Sequence, residues 1–331
     1  MKNALVLSGG GFKGAFQLGA IKELLEKGIE FSAVSGVSVG ALNASQVAQN
    51  NISGLGKLWE DVIATNGKSI TKGNIAELSN GSLFPVEDKV WEVALKGISK
   101  LDITAAILNK KKRLKLINQA ITNINSVNNL LDNSPLEELL LTNVKLDNFI
   151  MPFFFGLVSL YTGKLYELSE KDFKLDRDIA KAVLASSTMP VVWKPIPLVN
   201  TKYGPILNAV DGGLRMVNPL SQIWNYIQDD EHEWTIWVIN CNNAEMSYRE
   251  ASPTLSQIAG TSIDILLNEV LHNDVELSSK MNEWADSIGK KKAILRTIEP
   301  GRDGLGKTMD ASSEVIKWRI QLGKKLVNKY F

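Results

Sequence analysis

The sequence is poor in the side chains that form disulfides and zinc sites. It has one cysteine, Cys241, and two histidines, His232 and His272, among 331 residues. A lone cysteine cannot form an internal disulfide, and these three side chains fall short of the usual nitrogen and sulfur ligand set of zinc. We therefore expect no metal site, and no motif in the chain calls for a cofactor.

The sequence also lacks an excess of charge of one sign. Lysine plus arginine number 37 and aspartate plus glutamate 36, which leaves a formal net charge of +1. A chain with this balance is not drawn as a whole to nucleic acid or to an anionic membrane. We expect no nucleic-acid partner, and any peripheral membrane contact has to come from a local patch. The composition leaves the oligomeric state open.

A long apolar run is missing as well. The N-terminus passes from Met1–Asn3 through the short run Ala4–Leu7 into glycines, without the apolar core of about 7–15 residues that marks a signal peptide. The least polar stretch, Phe149–Leu160, contains Pro152 and Gly156 and is well short of the roughly 20 residues of a spanning helix. These features predict a soluble, cytoplasmic protein, with export by a signal-independent route left open.

What the sequence does contain is an alternation of strand and helix patterns, which predicts an α/β fold with a mainly parallel central sheet flanked by helices. The expected strands are Ala4–Leu7, Phe31–Ser35, Phe149–Val158, Lys164–Leu168, Ile206–Val210, Thr235–Asn240 and Ala293–Ile298. The expected helices lie around Phe16–Leu25, at Ala41–Gln49 and Asp176–Ser186, over much of 254–288, and at Ala311–Tyr330.

Residues 51–146 differ in character, because they are rich in asparagine and in amphipathic helical segments. We expect them to form a helical insertion. The insertion contains Trp59, Trp91 and the basic run Lys110–Arg113, and a helix of this kind can lie on a membrane surface. More often such a helix simply covers a domain, and this is the interpretation that the sequence alone favours.

A GxSxG segment, Gly36–Gly40, lies between a predicted strand and a predicted helix. In that context the motif forms a nucleophile elbow, with the hydroxyl of Ser38 projecting from the sheet edge. Gly36 and Gly40 let the backbone turn sharply, and the following helix N-terminus favours developing negative charge. The alternative is a glycine and serine turn that matches the pattern by chance.

A second glycine motif, Gly9–Gly14 with the sequence GGGFKG, follows the first predicted strand. Its bare backbone N–H groups suit a phosphate or a tetrahedral oxyanion. A dinucleotide site also needs an acidic residue at the end of the second strand, which here ends in Ser35 and Gly36. A P-loop needs Ser or Thr after the lysine, whereas Lys13 precedes Gly14. An oxyanion site beside Ser38 is the better fit, and a nucleotide site remains the weaker alternative.

A nucleophilic serine needs a base. His232 lies in an acidic, polar run and His272 in a predicted helix, so neither follows a strand end. Asp211, by contrast, follows the predicted strand Ile206–Val210 and precedes two glycines, which allows its carboxylate to be presented at the sheet edge. A carboxylate within hydrogen-bond reach can take the serine proton directly. An Asx turn at Asp211 is the alternative.

Taken together, these motifs resemble the patatin-like phospholipase family in order and spacing. The resemblance rests on Gly9–Gly14, Gly36–Gly40, Ala185–Pro190 leading into Pro195, and Asp211–Gly213. It spans residues 4–219, and beyond Pro219 no further motif is recognisable.

The resemblance implies a Ser-Asp dyad without histidine, with Ser38 as nucleophile, Asp211 as base and the backbone of Gly9, Gly10 and Gly11 as oxyanion hole. It implies that Lys13 orients the glycine loop or lies near the substrate. The supporting motif positions are Lys13, Gly14, Gly36, Gly40, Gly212 and Gly213.

The implied activity is hydrolysis of an acyl ester, commonly in a phospholipid or neutral lipid, through an acyl-enzyme and without metal or cofactor. The implied organisation is a patatin-like domain over residues 1–219, with the helical insertion at about 51–146, and an α/β continuation of the same fold over 220–331. A catalytically latent module that binds lipid or a protein partner on the same scaffold is the alternative.

Overall fold

A computed structural model describes residues 1–79, 82–127, 129–242, 276, 280, 283, 293–301 and 304–331. Most of the helical region predicted within 254–288, together with His272, lies outside the described residues, and residues 276, 280 and 283 are helical.

The strands of the described residues are β1 (Lys2–Leu7), β2 (Ala33–Gly36), β3 (Lys72–Gly73), β4 (Ala76–Ser79), β5 (Ser82–Pro85), β6 (Leu131–Asp132), β7 (Phe153–Ser159), β8 (Leu165–Ser169), β9 (Ile196–Thr201), β10 (Gly204–Asp211), β11 (Trp234–Ile239) and β12 (Ile294–Ile298). The helices are α1 (Ala15–Glu26), α2 (Val39–Ala48), α3 (Ile52–Thr65), α4 (Glu87–Ala94), α5 (Lys100–Leu108), α6 (Lys110–Asn125), α7 (Ser134–Asn143), α8 (Asp176–Ser186), α9 (Leu220–Ile227) and α10 (Ser313–Val327).

Eight strands form one central sheet. Its order is β12-β11-β1-β2-β7-β10-β9, and β8 also pairs with β7. The pairs from β12 through β11, β1 and β2 to β7 are all parallel, whereas β10 runs antiparallel to β7 and β9, and β8 antiparallel to β7. The predicted fold class, a mainly parallel central sheet flanked by helices, is therefore confirmed.

Strand β1 lies in the middle of the sheet, between β11 and β2. Residues Ala4 to Leu7 are fully buried, as expected for a continuous apolar run covered on both faces. Leu5 pairs with Trp237 on one side and with Val34 on the other. The strand next to the N-terminal strand thus comes from beyond residue 219, so the sheet is built by both ends of the chain. The predicted division at residue 219 stays a prediction.

Within the central sheet, the largest departures from the strand predictions are at β7 and β9. β7 begins at Phe153 rather than Phe149, after a 3-10 turn at Leu146–Asn148 and after Pro152, which has no N–H to donate. β9 was not expected, because Pro197 argues against a strand. It lies at the end of the sheet order, and an edge strand tolerates a residue that cannot donate.

The described residues of the insertion contain the helices α3 to α7, in agreement with the predicted helical region, but they also contain four short strands. These strands form two small antiparallel sheets, β3 with β6 and β4 with β5. The prediction of a helical insertion at residues 51–146 therefore omitted these two small sheets.

Helices α1 and α10 cross so closely that glycine is needed on both. A Cβ atom on Gly19 would overlap the carbonyl oxygen of Ile320, and one on Gly323 would overlap the carbonyl oxygen of Phe16. Backbone therefore packs directly on backbone at this crossing, which fastens the C-terminal helix to the helix that follows the glycine loop.

We predict that Gly323→Ala lowers the free energy of unfolding by about 1–3 kcal/mol, because the added methyl group meets rigid backbone. This loss should outweigh the gain in helix propensity of about 1 kcal/mol. Gly56→Ala is the matched control, since its Cβ would meet only the flexible end of the Lys22 side chain and stability should hold or rise. Urea unfolding measures both, and an unchanged midpoint for Gly323→Ala would contradict the close crossing.

Candidate active site

Ser38 occupies the sharp turn between β2 and α2. Its backbone has φ 56° and ψ −130°, a left-handed conformation that side-chain-bearing residues rarely adopt and that costs on the order of 1–3 kcal/mol. A Cβ on Gly36 would overlap the carbonyl oxygen of Gly40, and one on Gly40 would overlap that of Leu7. The two motif glycines are thus required because the turn packs against itself and against β1.

The Ser38 hydroxyl points at a carboxylate from a distant part of the chain. Its Oγ donates a hydrogen bond of 2.7 Å to Oδ2 of Asp211, the last residue of β10. The other carboxylate oxygen, Oδ1, accepts a 2.8 Å hydrogen bond from the amide of Gly213. A Cβ on Gly212 would overlap the carbonyl oxygen of Gly156, so this turn too packs tightly on a neighbouring strand.

The surroundings of Asp211 make its carboxyl group a stronger base than usual. Burial raises its pKa to about 7, while the hydrogen bonds from Ser38 and Gly213 act in the opposite direction. Burial dominates because a carboxylate removed from water loses solvation that two hydrogen bonds replace only in part. Near neutral pH both protonation states of Asp211 are therefore populated.

The segment at the end of α8 forms hydrogen bonds with the backbone of both Ser38 and Asp211. The hydroxyl of Ser186 accepts a 3.2 Å hydrogen bond from the Ser38 amide and donates one of 2.6 Å to the carbonyl oxygen of Gly156. The carbonyl oxygen of Thr188 accepts a 2.9 Å hydrogen bond from the amide of Asp211. Sequence reasoning found this segment only through the family resemblance and assigned no role to Ser186 or Thr188.

The glycine loop lies beside Ser38, but its three amides are not equivalent. The Gly9 amide donates a 3.1 Å hydrogen bond to the carbonyl oxygen of Val217, so this N–H is already occupied. No described residue accepts a hydrogen bond from the amides of Gly10 or Gly11. Gly11 has φ 54°, which favours glycine, and it lines the same pocket as Ser38. Of the three amides expected from the sequence to bind an oxyanion, only those of Gly10 and Gly11 have no acceptor among the described residues.

Lys13 anchors the loop to the end of the neighbouring strand. Its side chain is buried, and Nζ donates a 2.6 Å hydrogen bond to Oδ1 of Asn242, just beyond β11. Of the two expected roles, this contact fits the orientation of the loop. Gly14 lets the loop pack on the first turn of α2, because a Cβ there would overlap the side chain of Val39.

Arg319 of α10 supports the glycine loop from behind, and sequence reasoning missed it. The fully buried guanidinium donates hydrogen bonds of 2.7–3.0 Å to the carbonyl oxygens of Leu305, Lys307 and Asp310. Burial lowers its pKa to about 10. Within the loop that these bonds hold, the carbonyl oxygen of Thr308 accepts a 3.0 Å hydrogen bond from the Phe12 amide. The C-terminal region thus holds the loop that carries the candidate oxyanion donors.

A small, mainly apolar pocket opens beside Ser38 and Asp211. Its apolar wall includes Phe12, Leu42, Leu58, Trp59, Leu136 and Trp193. The indole Nε1 of Trp193 donates a 3.1 Å hydrogen bond to Oγ1 of Thr71, which ties this wall of the pocket to the insertion. Phe153 and Phe155 of β7 belong to the sheet core, since both are fully buried and their rings stack with centroids 4.9 Å apart.

The remaining candidates lie away from the pocket. His232 is largely exposed and hydrogen-bonded to Asp230 through Nδ1 at 2.6 Å. Among the described residues, no group of three or more histidine, cysteine, aspartate or glutamate side chains could hold a metal ion. No helix within the described residues has the length and apolar character needed to cross a membrane.

The sheet and the site define an α/β protein in which a serine in a strand–helix turn lies beside a buried carboxylate. The family model for patatin-like phospholipase matches residues 5–224, which is more than half of the chain. The chain therefore belongs to the patatin-like phospholipase family.

A solved structure, that of VipD from Legionella pneumophila, is also similar to this chain. The similarity has 17% sequence identity and a TM-score of 0.36, and it covers 98% of this chain and 67% of that chain. No curated protein sequence matches.

We predict that Arg319→Gln lowers the free energy of unfolding by about 2–4 kcal/mol, since it leaves buried carbonyl groups without donors. Amide hydrogen exchange at Phe12 should accelerate, because the acceptor on Thr308 is no longer held. Lys317→Gln, at an exposed position on the same helix, is the control and should change neither quantity. Unaltered exchange at Phe12 in a destabilised Arg319→Gln protein would contradict the support of the glycine loop.

Proposed function

We propose that the chain is a serine lipid acyl hydrolase that works through a Ser-Asp dyad. Family membership supports lipid acyl hydrolysis in general. The observation that carries the assignment to particular residues is the 2.7 Å hydrogen bond from Ser38 Oγ to the buried Asp211 carboxylate at the end of an apolar pocket. In this proposal Ser38 is the nucleophile and Asp211 the general base.

In the first half of the reaction, Ser38 Oγ attacks the ester carbonyl carbon while its proton passes to Oδ2 of Asp211. The carbonyl oxygen becomes an oxyanion, which in this proposal is stabilised by the amides of Gly10 and Gly11 and by the N-terminus of α2. The intermediate collapses, the bond to the alcohol oxygen breaks, and protonated Asp211 donates its proton to the leaving alcohol. An acyl-enzyme on Ser38 remains.

In the second half, Asp211 takes a proton from water as the water oxygen attacks the acyl carbon. The second tetrahedral intermediate collapses, the proton returns to Ser38 Oγ, and the carboxylic acid leaves. Each step moves a proton between Asp211 and an oxygen atom, and no metal or cofactor takes part.

The raised pKa of Asp211 is what makes a carboxylate suitable for both halves. A carboxyl group with an ordinary pKa of 3.8 is a weak base, whereas a pKa of about 7 allows it to accept and return a proton near neutrality. The apolar pocket supports a substrate with a hydrocarbon acyl chain, in keeping with the phospholipid or neutral-lipid esters expected from the sequence.

We predict that Ser38→Ala lowers kcat/KM on nitrophenyl esters and phospholipid by at least about 10⁴-fold. Asp211→Asn should lower it by roughly 10²–10⁴-fold, since only the proton transfer is lost. A fluorophosphonate should label the unaltered protein but not the Ser38→Ala variant. Ser45→Ala is the control, because its hydroxyl also lies on α2 but donates to the carbonyl oxygen of Leu42.

The possible outcomes separate the alternatives. Turnover retained by Ser38→Ala would refute the nucleophile, and well-folded protein that is never labelled would favour a binding module. Labelling at Ser38 without turnover of any ester would favour a latent enzyme.

We also predict the direction of the pH dependence. Protonated Asp211 cannot accept the Ser38 proton, so kcat/KM should fall about tenfold per unit as the pH drops below about 7 and level off above it. A pH series on a soluble ester in the unaltered protein and in His232→Gln measures this. The fall in kcat/KM at low pH should be identical in the two proteins. If it disappeared in His232→Gln, a base at Asp211 would be contradicted.

A further inference from the structure

Helix α6 carries an apolar stripe on its outer surface. Leu114, Ile117, Ile121 and Ile124 recur at intervals of three and four residues, which places them on one side of the helix. Their exposed fractions are 53%, 44%, 51% and 42%. The sequence favoured a helix that covers the domain, but in the structure this stripe remains open to solvent.

Hydrogen bonds to α4 and α5 set the orientation of α6. Asn123 donates hydrogen bonds of 3.0 and 2.8 Å to the carbonyl oxygens of Ala94 and Lys96, at the end of α4. Arg113 Nε donates one of 3.1 Å to the carbonyl oxygen of Ala106 in α5. Leu116, Ala120 and Asn123 are the partly buried residues within Lys110–Ile124, so this face of α6 lies against the insertion, while the apolar stripe beside it stays exposed.

The charge on α6 is entirely of one sign. The helix begins with Lys110–Arg113 and adds Lys115, and it contains no aspartate or glutamate. Cations in the first turn are unfavourable to the helix dipole, so helix stability gives no reason for them. The chain as a whole has a net charge of only +1, which makes this run a local concentration.

We propose that the outer face of α6 is a docking surface for an anionic lipid bilayer. An aliphatic stripe flanked by lysines matches both layers of such a surface, since the acyl region accepts the stripe and the phosphates neutralise the cations. The same insertion also exposes Trp91 on α4 and Leu101 on α5. A protein partner would have to supply both an apolar groove and a dense row of acidic groups.

The docking surface is connected to the pocket through the chain that follows α6. The amide of Leu131 donates a 2.8 Å hydrogen bond to the carbonyl oxygen of Val192, next to the pocket residue Trp193. Asn133 and Leu136, a few residues further on, line the pocket directly. The chain that leaves the end of α6 thus reaches the pocket wall within about ten residues. The docking itself does not rest on the proposed hydrolysis.

The test is flotation of the 331-residue chain with vesicles of phosphatidylcholine alone or with phosphatidylglycerol added. The Ser38→Ala protein serves as the background, so that binding is measured without any hydrolysis of the vesicles. Failure to bind and failure to hydrolyse are then separate results. Circular dichroism of each variant checks that the fold is intact.

We expect binding to the anionic vesicles that weakens with salt, and little binding to phosphatidylcholine alone. Ile117→Glu with Ile121→Glu should lower the partition coefficient roughly tenfold or more. Lys111→Gln with Lys115→Gln should lower it by roughly fivefold per lysine, on anionic vesicles only. Tyr161→Glu with Tyr203→Glu, two exposed apolar positions far along the sequence in sheet turns, is the matched control and should bind normally.

Three results would overturn the proposal. One is the absence of vesicle binding by the folded protein, and another is binding that the α6 variants and the control variant retain equally. The third is a protein dimer that the Ile117→Glu and Ile121→Glu changes dissociate, which would identify the stripe as an interface between copies of the chain.

Discussion

The site depends on one interaction, the hydrogen bond between the Ser38 hydroxyl and a carboxylate that has been removed from water. Burial raises the pKa of Asp211 to about 7, and a buried carboxyl group is tolerated only where hydrogen bonds replace part of its solvation. The bonds from Ser38 and Gly213 do this at 2.7 and 2.8 Å. Water is excluded because the neighbouring backbone packs tightly. The packing is so close that a Cβ atom on Gly36, Gly40 or Gly212 would overlap a backbone carbonyl oxygen.

Precision at this pair comes from segments that are far apart in the sequence. Ser186 accepts a hydrogen bond from the Ser38 amide, and Thr188 accepts one from the Asp211 amide, so the segment at the end of α8 positions both residues. On the other side, Arg319 holds the loop whose residue Thr308 accepts the Phe12 amide. The C-terminal helix therefore has a structural connection to the glycine loop although it contains no recognisable motif.

The insertion has two faces with different chemistry. Towards the sheet it contributes Ile70, Asn133 and Leu136 to the pocket wall. Away from the sheet it exposes the stripe and the cations of α6. If a bilayer binds the outer surface of the insertion, as proposed above, the lipids lie close to the pocket that the same insertion helps to form.

The sequence alone determined the features that are written in contiguous residues. The strand, turn and helix around Ser38, the turn after Asp211 and the central apolar strand at Ala4–Leu7 all follow from local patterns, and so does the fold class. Tertiary structure decided which backbone groups are occupied: the Gly9 amide is taken by Val217, and Ser186 and Arg319 serve the site through contacts that no local pattern predicts. The physical reason is distance along the chain. Ser38 and Asp211 are 173 residues apart, and the pKa of the carboxyl group is set by the burial that the folded sheet and its loops impose.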